Sequence, residues 1–381
     1  MISSTGSMTF TVAMVAYLQN IGQSLTVIGA ILGSSRIAAA IISLMISGYS
    51  DNWAPRTVVM LTEFAAVLVS IAMYYVIPEQ NESVLLFGLA YCIRTCIVSA
   101  QIGARGKLSK LFAGGTEAGS RKSAALLNIA TQGATVFAGL ASWIAIESID
   151  IKWVLAFDAI SFGICGVLMT TLPVESSQAM TPNIKENYLS GIIYLFKYGK
   201  SLVFLDLLLA MVLAGTSTLD ARLSGQTPEL LAGFLIVYGV AVWISGFLAQ
   251  NTLVNSSERI IWVFLGCSFL MLINFPDLGF ITLGLAAFKD IFYWLILHNI
   301  SGKLLHKIPL EYSSSALASR NALMIVTLSI GDYTVGFLAN KIPLSLEGAW
   351  RACVCLLAFF YTSNLFFKPT KWKKSVSYEK N

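Results

Sequence analysis

The chain has 381 residues, of which 56% are hydrophobic and only 12% are charged, and its mean hydropathy is +0.74. Soluble domains carry roughly a quarter of charged residues, so this composition excludes a water-soluble globular protein. The formal net charge of +5 does not indicate a nucleic-acid partner, because the basic residues lie in short segments between apolar runs.

The apolar runs predict an all-α integral membrane protein with twelve transmembrane helices, because each crossing needs roughly 20 apolar residues. Breaks in the apolar pattern place the spans, in chain order, at 5–20, 24–48, 57–77, 84–104, 123–146, 152–172, 200–219, 227–250, 260–275, 277–300, 313–338 and 346–367. No cleavable signal peptide is expected, since no basic segment precedes the first apolar run.

The longest polar stretch of the chain, 174–199, follows the sixth predicted span. It predicts a cytoplasmic linker between an N-terminal six-helix bundle, 1–173, and a C-terminal six-helix bundle with a basic tail, 200–381. Short matches about 200 residues apart indicate that the two bundles are pseudo-symmetric. The segments FGLAYCIR at 87–94 and LGLAAFKD at 283–290 are the best of these matches.

The distribution of basic residues predicts that both termini are cytoplasmic. With that orientation, most of the 25 lysines and arginines fall in cytoplasmic segments. The segments outside hold only Lys152, Arg222, Lys341 and Arg351. Cytoplasmic loops are enriched in Lys and Arg, so the pattern favours a multi-pass protein of the inner (plasma) membrane.

The segment at 47–56, SGYSDNWAPR, is similar to the G-x-x-x-D-R-x-G-R-R motif of the major facilitator superfamily. Asp51 and Arg56 occupy motif positions, and the departures from the motif are Ser47, Asn52, Ala54 and Pro55. Arg94 resembles the arginine of that family's fourth-span R-x-x-Q-G motif, with Ile97 and Val98 in place of the glutamine and glycine. The resemblance implies a transporter of two six-helix halves, with Asp51 and Arg56 as gating elements.

A second likeness lies in the sixth predicted span, where 158–162 reads DAISF. It resembles a D-A-x-S-F signature of the branch with siderophore exporters and macrolide efflux proteins. The resemblance implies proton-coupled export of a medium-sized, partly anionic organic compound. It also implies a monomer.

Ionisable residues at membrane depth are the candidates for the transport path, because each costs about 2.5 kcal/mol or more unless it faces protein or water. The resemblance places Arg94 and Asp290 at related positions on helices that face a central cavity. We expect Arg94, Lys289 and Asp290 to bind an anionic substrate group, with Asp290 exchanging a proton. The alternative is a static ion pair that joins the halves. Arg36 and Asp158 are further candidates, and Asp158 is expected to contact Arg36 or Arg94.

Two alternative functions remain open at this point. The first is an importer or facilitator of a small metabolite such as a carboxylate. The second, a membrane-embedded enzyme or sensor, lacks support, because the sequence shows no catalytic constellation, Gly-rich Walker loop or large soluble domain. No cofactor and no metal are predicted, since the six cysteines show no metal-ligand spacing. The expected partners are a small-molecule substrate, protons and the lipid bilayer.

Overall fold

In the computed structural model the described residues are 2–51, 53–78, 83–145, 150–172, 190–214, 216, 228–250, 258–274, 280–338 and 343–367. They form α-helices and one short 3-10 turn, Leu310–Tyr312, and this part of the chain contains no β-strand. The helices are α1 Ile2–Asn20, α2 Leu25–Ser50, α3 Pro55–Tyr75, α4 Val84–Ala100, α5 Ile102–Leu111, α6 Glu117–Thr131, α7 Thr135–Ala145, α8 Ile151–Thr171, α9 Ser190–Leu213, α10 Pro228–Leu248, α11 Glu258–Asn274, α12 Phe280–Lys307, α13 Ser313–Leu338 and α14 Leu344–Phe367.

Local sequence signals explain where several helices begin. Pro55 opens α3, where its missing N–H is not needed. The Thr116 side chain accepts a hydrogen bond from the Gly119 N–H at 3.0 Å and caps α6. The Asp150 carboxylate accepts one from the Lys152 N–H at 2.9 Å and caps α8. Each cap satisfies an N–H that has no partner within its helix.

Seven segments of the described chain are long and apolar enough to cross a membrane. They are Val27–Ile46, Pro55–Tyr75, Val84–Leu111, Glu117–Leu140, Ile151–Thr171, Ile281–Lys307 and Leu344–Ser363. Their outer surface carries large apolar side chains, including Leu85 at 86% exposed, Trp153 at 74% and Leu68 at 69%. Such a surface would be covered by lipid, so the chain is a multi-pass membrane protein.

Two boundaries differ from the predicted ones. Helix α9 begins at Ser190, so the predicted linker of 174–199 is too long at its C-terminal end, and residues 173–189 lie outside the described chain. The helix is kinked at Gly199, with φ −134° and ψ 19°, one residue before the predicted start of this span. The fourth predicted span also extends beyond 104 through α5, which places Lys107 and Lys110 on a helix rather than in a loop.

We call α1–α8 the N-terminal half of the chain and α9–α14 its C-terminal half. Phe10, Met14 and Phe87 are fully buried in the core of the N-terminal half, as Trp262 and Phe269 are in that of the C-terminal half. The halves meet where α2 and α5 pack on α13, and where α6 and α7 pack on α10 and α12. These helices position the charged groups described next.

Candidate functional site

Arg94 of α4 forms a buried ion pair with Asp158 of α8. Its Nε and Nη2 atoms donate to Asp158 Oδ2 at 3.0 and 2.6 Å, and Nη2 also donates to Ser7 Oγ of α1 at 3.0 Å. Arg94 is 3% exposed and Asp158 is fully buried. The guanidinium also stands 5.0 Å from the centroid of the Phe10 ring. A charged pair with this many bonds is held firmly between three helices of the N-terminal half.

Asp158 uses its two carboxylate oxygens unequally. Oδ2 accepts both bonds from Arg94 and a third from Ser70 Oγ of α3 at 3.1 Å. Oδ1 is buried and has no hydrogen-bond partner among the residues that the structure describes. A buried oxygen without a partner is costly. It is therefore the atom of this cluster at which a proton or a substrate donor would gain most.

Lys289 and Asp290 of α12 form a second pair in the C-terminal half. Lys289 Nζ stands 3.3 Å from Asp290 Oδ1, and the two residues are only 1% and 4% exposed. The Lys289 ammonium also lies 5.9 Å from the ring centroid of Phe269 on α11. Both partners belong to one helix, so this pair does not itself join the two halves.

The structure thus places four of the five predicted path residues in two ion pairs, one in each half. Asp158 was expected to contact Arg36 or Arg94, and it bonds to Arg94. Lys289 pairs with Asp290. Arg36 of α2 is exposed at the surface of the protein. It lies one turn from Gly33, which approaches Tyr333 of α13, so it is close to the boundary between the halves.

Two further ion pairs that join distant parts of the chain were not recognised as pairs from the sequence. Arg320 of α13 donates from Nε and Nη2 to both oxygens of Asp206 of α9, at 2.6 and 2.8 Å. The charges of this pair and of Asp290 all act on the phenol of Tyr293. Arg105 of α5 bonds to Glu63 of α3 at 2.5 Å. Each pair joins residues at least 42 positions apart, so no local spacing signals it.

The end of the molecule where α2, α5 and α12 finish and α3, α6 and α13 begin is called the basic-loop end below. Here Asp51, just after α2, reaches across to the other half. Its Oδ1 accepts hydrogen bonds from the backbone N–H groups of Ser314 and Ser315 at 2.9 and 3.1 Å. These N–H groups lie in the first turn of α13 and have no partner within it. A carboxylate is favoured at this positive end of a helix.

Two lysines of α5 bind helix C-terminal ends close by. Lys107 Nζ donates to the backbone oxygen of Asp51 at 2.7 Å, at the end of α2. Lys110 Nζ donates to the backbone oxygen of Leu305 at 2.7 Å, near the end of α12. Cations are favoured at C-terminal helix ends. The Asp51 and Lys110 bonds both cross between the halves and join them at the basic-loop end.

Arg56, the other predicted gating residue, does not take part in these cross-half bonds. Its guanidinium donates to the backbone oxygens of Leu172, at 2.8 Å, and Thr170. Both oxygens lie at the C-terminal end of α8, so Arg56 fastens α3 to α8 within the N-terminal half. The geometry therefore supports a gating contact for Asp51 and a positioning contact for Arg56.

The titration of Asp51 should change the balance between closed and open basic-loop ends. Burial raises the pKa of Asp51 from 3.8 to about 6, although the bonds from α13 and the charge of Lys107 act in the other direction. In an open, hydrated state the pKa should return towards 3.8, so the closed state binds the proton more tightly. Lowering the pH through about 6 should therefore favour closure, by at most about 3 kcal/mol.

Spin labels at Phe112 and Lys307 would measure this closure, because both positions are exposed and lie on opposite halves. The labels require a chain that lacks the six native cysteines. With Asp51→Asn, which is neutral at every pH, the closed population should rise at neutral pH. The gain in closure on acidification through about pH 6 should then disappear. If acidification increases the closed population of Asp51→Asn as much as that of the unmodified protein, another group causes the pH response.

Within the described residues no group of three or more His, Cys, Asp or Glu side chains is placed to hold a metal ion. The cysteines Cys92, Cys96, Cys165, Cys267, Cys353 and Cys355 are all free thiols. In the described residues, the ion pairs of the site therefore lie within each half, and hydrogen bonds join the two halves.

No protein-family model matches the sequence, and no curated protein matches it either. Solved structures do share its fold. The human organic anion transporter MFSD10 matches with a TM-score of 0.69 at 12% identity, over 94% of this chain and 97% of that one. A bacterial homologue of the iron transporter ferroportin in an outward-facing state matches with a TM-score of 0.70 at 13% identity, over 96% and 97%. The major facilitator superfamily proton:xylose symporter XylE matches with a TM-score of 0.66 at 15% identity, over 97% and 94%.

These similarities cover nearly the whole of each chain. They show that the protein has the fold of major facilitator superfamily transporters, as the sequence resemblance predicts. The proteins of that fold found in the comparison are transporters and not enzymes. At such low identity the likeness concerns the fold alone, and the site has to be argued from this chain's own residues.

Proposed function

We propose that the protein is a secondary transporter that moves a medium-sized, partly anionic organic compound, such as a siderophore or drug, by alternating access. Twelve membrane-spanning helices would form two six-helix halves, 1–173 and 190–381, joined by a shortened linker. The halves would rock about the α2–α13 and α7–α10 contacts. The protein would act as a monomer in the inner (plasma) membrane with both termini cytoplasmic.

The observation that carries this proposal is the closed basic-loop end. Asp51 accepts two hydrogen bonds from the opposite half, and Lys110 donates one to it. All three bonds break when the halves separate at this end. The raised pKa of Asp51 means that burial costs its carboxylate more than these bonds return, so the closed end is one that substrate binding can open. With this end cytoplasmic, as the basic loops favour, the described contacts would close the protein towards the cytoplasm.

The substrate site would lie between the two ion pairs of the halves. A partly anionic compound suits a site with cationic groups on both sides, Arg94 in the N-terminal half and Lys289 in the C-terminal half. Their carboxylate partners, Asp158 and Asp290, would exchange a proton as the substrate enters or leaves. The partnerless Oδ1 of Asp158 supports this assignment, since proton binding there supplies a donor to a buried acceptor. Arg36, at the boundary of the halves, would guide the anion towards them.

The direct test is transport by the purified protein in proteoliposomes under an imposed pH gradient. A panel of siderophores, organic anions and small carboxylates is supplied either inside or outside, and a pH-sensitive dye in the lumen follows protons. We expect proton movement opposite to the compound, which marks an exporter by exchange. Movement of compound and proton in the same direction would instead indicate the importer.

The site residues are tested in the same vesicles. Arg94→Ala and Asp290→Asn should each reduce transport of the active compound by roughly tenfold or more, because each removes a charge from the path. Lys152→Gln is the control, since it removes a cation at the first turn of α8 outside the proposed path. Full substrate-dependent transport by both path variants would falsify the assigned site.

A further inference from the structure

His298 of α12 is a buried titratable residue that bridges the two halves. Its side chain is only 1% exposed. Nδ1 lies 3.1 Å from Asn128 Nδ2 of α6, in the N-terminal half. Nε2 lies 3.3 Å from Ser245 Oγ of α10, in the C-terminal half. The ring therefore uses both nitrogens at the contact between α6 and α12, and nothing in the transport path described above employs it.

The hydrogen bonds around the ring form a complete chain only when the ring is neutral. The Asn128 amide N–H donates to Nδ1, and the Nε2–H donates to Ser245 Oγ. The Ser245 hydroxyl in turn donates to the Val242 backbone oxygen at 3.0 Å. Each bond then has one donor and one acceptor, which is the arrangement a neutral imidazole with its hydrogen on Nε2 requires.

The ring has neutral neighbours on every side. Asn128 faces it from α6 and Ser245 from α10, and the Trp294 ring of the preceding turn lies with its centroid at 5.6 Å. The charged groups on the helices around α12 are engaged elsewhere: Glu258 with Lys303, Asp206 with Arg320, Lys289 with Asp290, Glu117 with Arg121, and Lys110 with Leu305. Among the described residues no carboxylate bonds to the ring to stabilise an imidazolium.

We propose that His298 is a proton-binding site that opens the basic-loop end when it is occupied. This inference rests on the proposed movement of the halves in transport. With a proton on Nδ1, an N–H donor of the ring would face the N–H donor of Asn128. The imidazolium would also place a charge in a buried interface whose bonded groups are neutral. Turning the Asn128 amide relieves the first conflict but not the second. Separation of α6 from α12 relieves both, because water then reaches the ring.

The expected pH response of His298 is opposite to that of Asp51. Protonated His298 favours the open end, whereas protonated Asp51 favours the closed end, as its raised pKa requires. A histidine exposed in the open state titrates near about pH 6.5, so its effect falls within the cellular range. The sign of the conformational shift therefore tells the two groups apart.

The test measures the Phe112–Lys307 spin-label distance without substrate, in the Asp51→Asn background, between about pH 7.5 and pH 5.5. Acidification should raise the population of the long distance by roughly fivefold or more. His298→Gln should keep the short distance at both pH values, because an uncharged amide can still bond across the interface. His306→Gln is the matched control, since His306 is the chain's other histidine and is exposed on the same helix. It should respond as the background does.

A second variant protects the test against a folding defect at His298. Asn128→Asp places a carboxylate beside Nδ1, where it should hold an imidazolium within the closed interface. Acidification should then fail to open this variant. A full response retained by His298→Gln, or opening of Asn128→Asp on acidification, overturns the proposal. A response lost in His306→Gln also overturns it.

The proposed function fails independently of this result. If no compound is transported but the distance shift depends on His298, the proton site stands and the transport assignment falls. If transport is found and the shift is unchanged in His298→Gln, the opposite conclusion holds.

Discussion

Replacement of Arg94 by Ala is expected to lower the stability of the N-terminal half and to abolish transport. The change removes two of the three hydrogen bonds to the buried Asp158 Oδ2 atom and leaves only the bond from the Ser70 hydroxyl. Breaking one partner of a buried pair costs about 3–5 kcal/mol. Thermal unfolding in detergent should therefore occur at a clearly lower temperature, and transport should fall by roughly tenfold or more.

The double variant Arg94→Met, Asp158→Leu separates a structural role from a role in the path. It removes both charges and fills the space with apolar groups, a change that is often neutral or stabilising at a buried pair. We expect its unfolding temperature to recover while transport stays low. If the double variant instead transports like the unmodified protein, the pair is only a structural tie between α4 and α8.

Replacement of Gly103 by Leu is expected to prevent closure of the basic-loop end. A Cβ atom at Gly103 would lie 2.5 Å from the Ser314 backbone oxygen and 3.1 Å from the Ala318 side chain, both on α13 of the other half. A backbone oxygen at the start of a helix cannot move aside without moving α13. The Phe112–Lys307 distance should shift almost wholly to its long value, and transport should fall by roughly tenfold or more because the cycle stops.

Gly284→Leu is the matched control for this prediction. It makes the same change of residue on α12, where nothing lies within 4 Å of an added Cβ atom. Both variants gain helix propensity, so the comparison isolates the steric effect at the interface. Gly103→Leu should unfold at a temperature close to that of the control, since its side chain has room once the halves separate. A wild-type distance distribution in Gly103→Leu would show that this contact does not limit closure.

Much of the helical layout could be predicted because lipid imposes simple requirements on a sequence. A segment that crosses the membrane must be apolar and long, and its backbone must satisfy its own hydrogen bonds. The predicted spans therefore match helices closely, as in 57–77 against Pro55–Tyr75 and 152–172 against Ile151–Thr171. The errors fell where helices carry polar residues, such as α5 with its lysines and the first turns of α9, because an apolar pattern cannot follow a helix there.

The candidate site was predictable as a set of residues but not as a set of pairs. Charges at membrane depth stand out in any sequence, which is why Arg94, Asp158, Lys289 and Asp290 were chosen. Their partners depend on which helix faces meet, and residues 64 positions apart carry no signal of that in a single sequence. No sequence pattern singles out His298 either, because its partners come from two other helices.

The sequence by itself determined that the chain is an all-helical membrane protein with the layout of a transporter, since composition, span length and the Asp51 motif follow from local requirements. Only the tertiary structure decided that Arg94 binds Asp158, that Asp51 meets α13, and that a neutral histidine lies where the halves touch. The physical reason is that lipid selects each helix separately, whereas a buried charge is stabilised only by the particular group that packing brings beside it.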